Sequence, residues 1–417
     1  MNEITLKEFG EIFKYIISNN RQLMADGKSP ITVAAEGPCG IGKTTKIIEL
    51  AKEMGMSFVK INLSELEEIS DLVGFPIKEY KIKQLDHTSK TMVEKWVAAD
   101  LLAIYSQMPC DEYEFTGESR MGYATPAWLP REENPNGTIL LIDDYTRANP
   151  LFMQACMELI NTGKYVSWSL PSNTSIALTT NPDDGSYSVS SLDAAQKSRF
   201  VNFSIKFDID NFAEWAENYG MDNRAVNFAL YYNNELFDQA NKNHLDTINP
   251  RSYTTFANAI SGIADWNKPE NLALILNIAK GCFHDDQNIV GGLFTSFIAN
   301  KLDKLISPED LLLQKWDTVH PKIEKCVYEG NDYHPEIAAV LGTRLLNYSC
   351  KHLGTKGAKS QPVQERLIEL VENSNDPNEK ALFSEDLLFN IIKTVVAKYP
   401  AQTNKLLLNP QIRKKIV

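Results

Sequence analysis

The chain reads as an α/β protein with a parallel sheet, continuing into an all-helical region, and three observations predict this. Short apolar runs of strand length recur between stretches of helical spacing, the pattern of a sheet covered by helices on both faces. A glycine-rich G-x-x-x-x-G-K-[ST] sequence joins the first of these runs to the helix after it. After about Asp208 the strand signals stop, and helical spacing continues with turn signals between the helices.

The elements follow in order. Leu6, Phe9, Ile12, Phe13, Ile16 and Ile17 recur at three-and-four spacing, so residues 5–25 form an amphipathic helix ending near Asp26-Gly27. The strand-like runs are Ile31 to Ala35, Ser57 to Ile61, Thr138 to Ile142, Ser175 to Thr179 and Val201 to Ile205. In the helical region, Asn249-Pro250, Lys268-Pro269, Gly354 to Pro362 and Asn373 to Pro377 mark turns. Lys380 to Lys398 has helical spacing, and Leu406-Leu407-Leu408 is apolar enough to dock on its own core, on a larger assembly of the chain such as a ring, or on another protein.

Composition excludes several classes. With 43% hydrophobic residues the chain can build real cores, which sets aside disorder, collagen and coiled coil. Its 54 Asp+Glu outnumber 42 Lys+Arg, a net charge of −12, which weighs against sequence-independent nucleic-acid binding because phosphate neutralisation needs a cationic surplus. Acidic residues interrupt the start of the chain before a secretory core could form, and the apolar runs are far shorter than a bilayer span, so a soluble protein without a membrane span is expected. The six cysteines, Cys39, Cys110, Cys156, Cys282, Cys326 and Cys350, form no CxxC pair or zinc pattern, which suits a reducing cytoplasm. The six histidines, His87, His244, His284, His320, His334 and His352, show no ligand spacing.

Gly37-Pro38-Cys39-Gly40-Ile41-Gly42-Lys43-Thr44 lies directly after a strand and directly before the helical run Thr45 to Met54. Glycines let backbone N–H groups turn inward on a β-phosphate, and the helix N-terminus adds a favourable field. Lys43 would reach the β- and γ-phosphates and Thr44 would ligate Mg²⁺, so the expected cofactors are ATP and Mg²⁺, with Gly37 to Thr45 as the binding segment. Cys39 is read as a small residue filling a variable loop position.

Thr138-Ile139-Leu140-Leu141-Ile142-Asp143-Asp144 is a buried strand ending in two carboxylates. Taken with the phosphate loop, this suits one acid in the Mg²⁺ shell and the next polarising an attacking water. Asp143 is the metal-shell candidate, acting through water, and Asp144 the candidate base.

Further segments carry a resemblance. Asp71-Leu72-Val73-Gly74-Phe75-Pro76, Thr125-Pro126-Ala127-Trp128-Leu129-Pro130 and Asp143-Asp144-Tyr145-Thr146-Arg147-Ala148-Asn149-Pro150 together resemble the MoxR-like, dynein- and midasin-related branch of the AAA+ ATPases, from Ile31 to about Ile260. The resemblance implies a five-stranded parallel sheet in the order 5-1-4-3-2 and a helical lid, giving domains at 1–207, 208–290 and 291–417, the last of unknown role. It also implies a γ-phosphate sensor at Asn181, an arginine finger acting in trans at Arg199 and a second sensor at Arg251 after Asn249-Pro250; Arg147 fits an interface ion pair or a phosphate contact and is kept as an interface candidate. The family has Glu where this chain has Asp144, so either the water is held differently or hydrolysis is slow.

Two inserts resemble those of the family. Residues 77–120 include an amphipathic stretch around Met92 to Tyr105, and Tyr165-Val166-Ser167-Trp168-Ser169-Leu170 reads as a hairpin; either would meet a substrate or a neighbouring protomer. The function implied is an ATPase assembled as a homo-oligomeric, hexameric ring that remodels a protein client, a von Willebrand factor A domain protein being the partner the family suggests. The alternatives are a nucleic-acid motor and a nucleotide-gated assembly protein with little turnover.

Overall fold

The computed structural model describes residues 3–109, 112–130, 134–165, 167–183, 187–238 and 247–416. Cys110, Val166 and His244 lie outside the described residues. The chain divides into two compact units, Met1–Lys206 and Phe207–Val417.

The first unit holds strands β1 (Thr32–Glu36), β2 (Ser57–Asn62), β3 (Pro76–Asp86), β4 (Thr91–Ala98), β5 (Tyr113–Tyr123), β6 (Thr138–Asp143), β7 (Thr174–Thr180) and β8 (Phe200–Ser204). Its helices are α1 (Leu6–Ala25), α2 (Lys43–Glu53), α3 (Ile69–Val73), α4 (Leu102–Tyr105), α5 (Pro150–Thr162) and α6 (Ala194–Lys197). A five-stranded parallel sheet runs β2-β6-β7-β1-β8, which is the expected 5-1-4-3-2 order read from its other edge. Every residue of β6 and β7 is buried, which is why β6 reads as an apolar run without alternation, while β7 buries Thr174, Ser175, Thr179 and Thr180 beside Ile176, Ala177 and Leu178. Helix α1 opens with a capping box in which Thr5 and Glu8 satisfy each other's backbone N–H groups, and it buries Phe9, Phe13 and Ile17 as its spacing requires.

Residues 77–120 depart from the helical spacing read around Met92 to Tyr105. Strands β4, β3 and β5 form a separate antiparallel sheet in that order, and only Leu102–Tyr105 keeps an α-helical turn. The ion pairs of Lys81 with Glu94 and of Arg120 with Glu79 lie on one face of this sheet, and β4 opens with four exposed residues in which Met92 and Val93 are neighbours, so its apolar positions do not alternate. In the segment read as a hairpin, Trp168 packs within its own unit. Trp168 Nε1 donates to Val73 O (2.9 Å) and Trp128 Nε1 to Leu72 O (3.1 Å), so two indoles, packed edge to face, satisfy carbonyls at the end of α3. Gly74 follows with φ +93°, and a Cβ there would collide with the Ala124 carbonyl, so this turn accepts only glycine.

The second unit is helical: α7 (Ile209–Tyr219), α8 (Asn223–Tyr231), α9 (Asn233–Phe237), α10 (Pro250–Ile260), α11 (Pro269–Phe283), α12 (Ile289–Ala299), α13 (Pro308–Leu313), α14 (Trp316–Val327), α15 (Pro335–Gly354), α16 (Gln361–Asn375), α17 (Glu385–Lys398), α18 (Asn404–Leu408) and α19 (Pro410–Ile416). Two-residue strands β9 (Tyr328–Glu329) and β10 (Asp332–Tyr333) make a small hairpin. One apolar core runs from Phe212 to Ile412 and spans the expected boundary at 290. Leu406 is buried in that core, whereas Leu408 stands exposed. At its centre Arg344 of α15 is buried against Glu217 of α7 and Asn227 of α8.

Candidate functional site

The phosphate-loop segment leaves β1 at Glu36 and enters α2 at Lys43. Gly42 sits at the helix N-cap with φ +100°, a conformation that costs a glycine little and other residues much, and no side chain caps the helix there. The N-terminal amides of α2 are therefore arranged to meet an anion. Lys43 is buried beneath the loop: Nζ donates to Gly37 O (2.7 Å), Pro38 O (2.9 Å) and Asn181 Oδ1 (3.2 Å). The lysine thus ties the loop to the end of β7. The Cys39 N–H donates to the Tyr187 hydroxyl (3.1 Å).

Because β1, β7 and β6 are consecutive parallel neighbours, their C-terminal ends come to one edge of the sheet, where an open α/β fold places its ligands. Asp143 ends β6. Its Oδ1 accepts from Thr44 Oγ1 (2.8 Å) and Thr179 Oγ1 (2.5 Å), and its Oδ2 pairs with Lys60 Nζ (2.9 Å). Burial pushes the Asp143 carboxyl up, but hydrogen bonds from Thr179, Lys60 and Thr44 outweigh it and hold the group below the ordinary aspartate range. The hydrogen bond to Asp143 in turn lifts Lys60 above the usual lysine range. Asp144 takes a left-handed backbone, φ 51° and ψ 40°, which Asp tolerates better than most residues. Its N–H donates to Thr179 Oγ1 (2.9 Å), and its Oδ1 accepts from Asn181 Nδ2 (3.3 Å). The Asn181 N–H donates to Thr146 Oγ1 (3.1 Å).

Lys43, Thr44, Asp143, Asp144 and Asn181 are therefore joined in one hydrogen-bonded cluster. Of the other candidates, Arg199 and Arg147 belong to the first unit and Arg251 to the second. Arg199 follows α6, and its guanidinium donates to Ala195 O (2.5 Å), closing the last turn of that helix. Arg147 is exposed in the turn after β6. Arg251 is the second residue of α10 in the helical unit and is exposed, its N–H held by the Asn249 cap.

Sequence reasoning missed Lys60, Thr179, Thr146 and Tyr187. Lys60 carried a signal: it is the one charged residue in the run Ser57 to Ile61. In the β2–β6 register Lys60 lies opposite Leu141 and Asn62 opposite Asp143, which puts Lys60 and Asp143 on the same sheet face.

The donor set suits Mg²⁺. Thr44 and Asp143 offer hard oxygens, and no group of three or more His, Cys, Asp or Glu side chains among the described residues could hold a metal alone. Mg²⁺ is ordinarily bound through one or two protein oxygens, with substrate phosphates and waters completing its shell. Among the described residues, no helix is long and apolar enough to cross a membrane.

Residues 33–184 match the family model described as ATPase family associated with various cellular activities (AAA), a span covering every cluster residue named above. Two variants of RuvB from Thermotoga maritima are similar in structure. One is 11% identical with a TM-score of 0.32, over 81% of this chain and 91% of its own. The other is 15% identical with a TM-score of 0.31, over 92% of this chain and 95% of its own. At these values the likeness adds nothing to the strand order. No curated protein sequence matches the chain. The family match and the order β2-β6-β7-β1-β8 make the first unit an α/β domain of AAA+ fold.

Proposed function

We propose that this chain binds ATP with Mg²⁺ and hydrolyses it, and that it works as a MoxR-like AAA+ ATPase in a homo-oligomeric, hexameric ring that remodels a protein client. The observation that supports this best is the hydrogen-bonded run Thr44–Asp143–Thr179–Asp144–Asn181, which sets the phosphate loop, two carboxylates and a sensor amide along one sheet edge. Bound Mg²⁺, held by Thr44 and through water by Asp143, would neutralise charge developing on the phosphates.

The chain's own groups carry the rest. Lys43 exchanges the Gly37 and Pro38 carbonyls for phosphate oxygens when nucleotide enters. Asp144 orients the attacking water and accepts its proton, steadied by Asn181. On this reading Arg199 of one protomer reaches the nucleotide of the next, and Arg251 of the helical unit, with 208–290 as lid, answers to nucleotide state. The client is proposed to be a protein, with a von Willebrand factor A domain as the class to look for first.

The deciding experiment measures phosphate release from ATP by the purified chain, with a pull-down by the Asp144→Asn variant held in ATP. Release above background, lost in Lys43→Ala, supports hydrolysis. ATP binding with no release, unchanged by substitution at Asp144, would favour nucleotide-gated assembly instead.

A further inference from the structure

We infer that Lys60 is a positioning residue of the nucleotide site, a stand-in cation that holds Asp143 Oδ2 until a divalent ion arrives and then gives that oxygen up. The inference rests on the ATP and Mg²⁺ reading above, and geometry within the first unit carries it.

Asp143 has a complete set of partners on one oxygen, the hydroxyls of Thr44 and Thr179, and a single ammonium on the other at 2.9 Å. Its side chain is only 10% exposed, so a bare carboxylate there would be an uncompensated buried charge. The Lys60 side chain is 41% exposed, so its ammonium needs only to rotate on a flexible four-carbon stem to enter water. A second anion lies close by: Glu65 is held to Asn62 at 2.8 Å and attracts Lys60, as does Asp144. Lys60 therefore has somewhere to go when it leaves Asp143.

The consequence is a coupling between metal and nucleotide. With Lys60 present, one cation already faces the phosphate-binding edge, so ATP is bound to some degree without metal. The same ammonium competes with the divalent ion for Asp143, so the ion is bound less tightly than the carboxylates alone would allow. Both effects reduce the ratio between ATP affinity with Mg²⁺ and ATP affinity in EDTA. By linkage, that ratio also measures how strongly ATP tightens the divalent ion.

Titration calorimetry with ATP, in Mg²⁺ and in EDTA, tests this on the full chain. Lys60→Met should raise the ratio about tenfold, the scale of one charge-assisted hydrogen bond, whereas Lys60→Arg should keep the parent ratio. Electron paramagnetic resonance of Mn²⁺, with protein saturated by a non-hydrolysable ATP analogue, should show tighter Mn²⁺ in Lys60→Met than in the parent. If Lys60→Met does not fold, Lys60→Gln carries the same test, since it retains a donor for Asp143 and loses the charge. A parent-like ratio and parent-like Mn²⁺ affinity in a folded, uncharged variant would overturn the role of Lys60 alone. A parent chain that binds no ATP in either buffer would overturn the nucleotide reading and this inference with it.

Discussion

The Thr179 hydroxyl donates to Asp143 Oδ1 at 2.5 Å and accepts the N–H of Asp144 at 2.9 Å, so one buried side chain fixes both carboxylates at the end of β6. Its place on the adjacent strand makes the sheet itself the support of the site.

Thr179→Val keeps the shape and removes the hydroxyl. Asp143 loses one of its donors and the Asp144 N–H loses its acceptor, a cost of about 1–3 kcal/mol for a buried polar group left unpaired. Chemical denaturation should show this loss. Under the proposed mechanism kcat should fall more than KM for ATP rises, and Thr179→Ser should restore most of both.

Lys43→Ala removes the cation that bonds the Gly37 and Pro38 carbonyls and that is proposed to reach the phosphates. ATP binding by calorimetry should drop below detection. Affinity equal to the parent's would mean the loop does not hold phosphate through this residue.

On the proposed reading, Arg199→Ala should leave ATP binding near normal and remove most turnover, since a finger supplied by a neighbour would act on the transition state. Mixed with Lys43→Ala, it should regain some activity when mixed rings form. Rings proven mixed but inactive would exclude a role in trans and leave Arg199 as the α6 terminus contact seen with Ala195.

In the helical unit, Arg344→Met leaves Glu217 buried without its cation, a change worth about 3–5 kcal/mol. Burial already lifts the Glu217 carboxyl above the ordinary glutamate range against the attraction of Arg344, and losing Arg344 lifts it further. A carboxyl raised in the folded state costs stability as pH climbs through its unfolded value, so the deficit should be largest at neutral pH. It should shrink as pH falls toward 4.5, the ordinary glutamate value. Denaturation midpoints of parent and variant across that range test the sign, and Arg344→Met with Glu217→Leu should recover much of the loss.

How far this arrangement could be read beforehand follows from its physics. The place of the glycine-rich segment between β1 and α2 was legible because its residue types recur at fixed spacing between a strand and a helix. β6 was legible because full burial writes an apolar run into the sequence, and β7 through its shorter core of Ile176, Ala177 and Leu178 among β-branched threonines. The sheet of β3, β4 and β5 was not, because β4 leaves adjacent apolar residues such as Met92 and Val93 exposed and so lacks an alternating apolar face. Lys60 and Thr179 meet Asp143 only through strand order and register, which no local window contains. Nor did helical spacing reveal that Arg344 would find Glu217, 127 positions away, and tie α15 to α7 within one core.

Asp144 is where the chain carries a carboxylate one methylene shorter than the resembled family's Glu, and its surroundings allow a sharp test. Its backbone is pinned by Thr179 and held in the left-handed region, and its Oδ1 meets Asn181 at 3.3 Å, so the acid cannot move far to make up the missing methylene. If Asp144 is the base in the proposed ring, Asp144→Asn should lower kcat by several orders of magnitude, leave KM for ATP nearly unchanged and favour a stable ATP-loaded ring. Asp144→Glu separates two designs. If the short acid brakes the reaction by standing off from the water, the longer one should raise kcat. If Asn181 and the loop have adjusted to aspartate, the added methylene should push Asn181 off the carboxylate and lower kcat, with Lys43 losing its Asn181 contact as well. Single-turnover phosphate release by parent, Asn and Glu variants distinguishes these outcomes, and a parent without turnover that neither substitution alters would exclude Asp144 as the base.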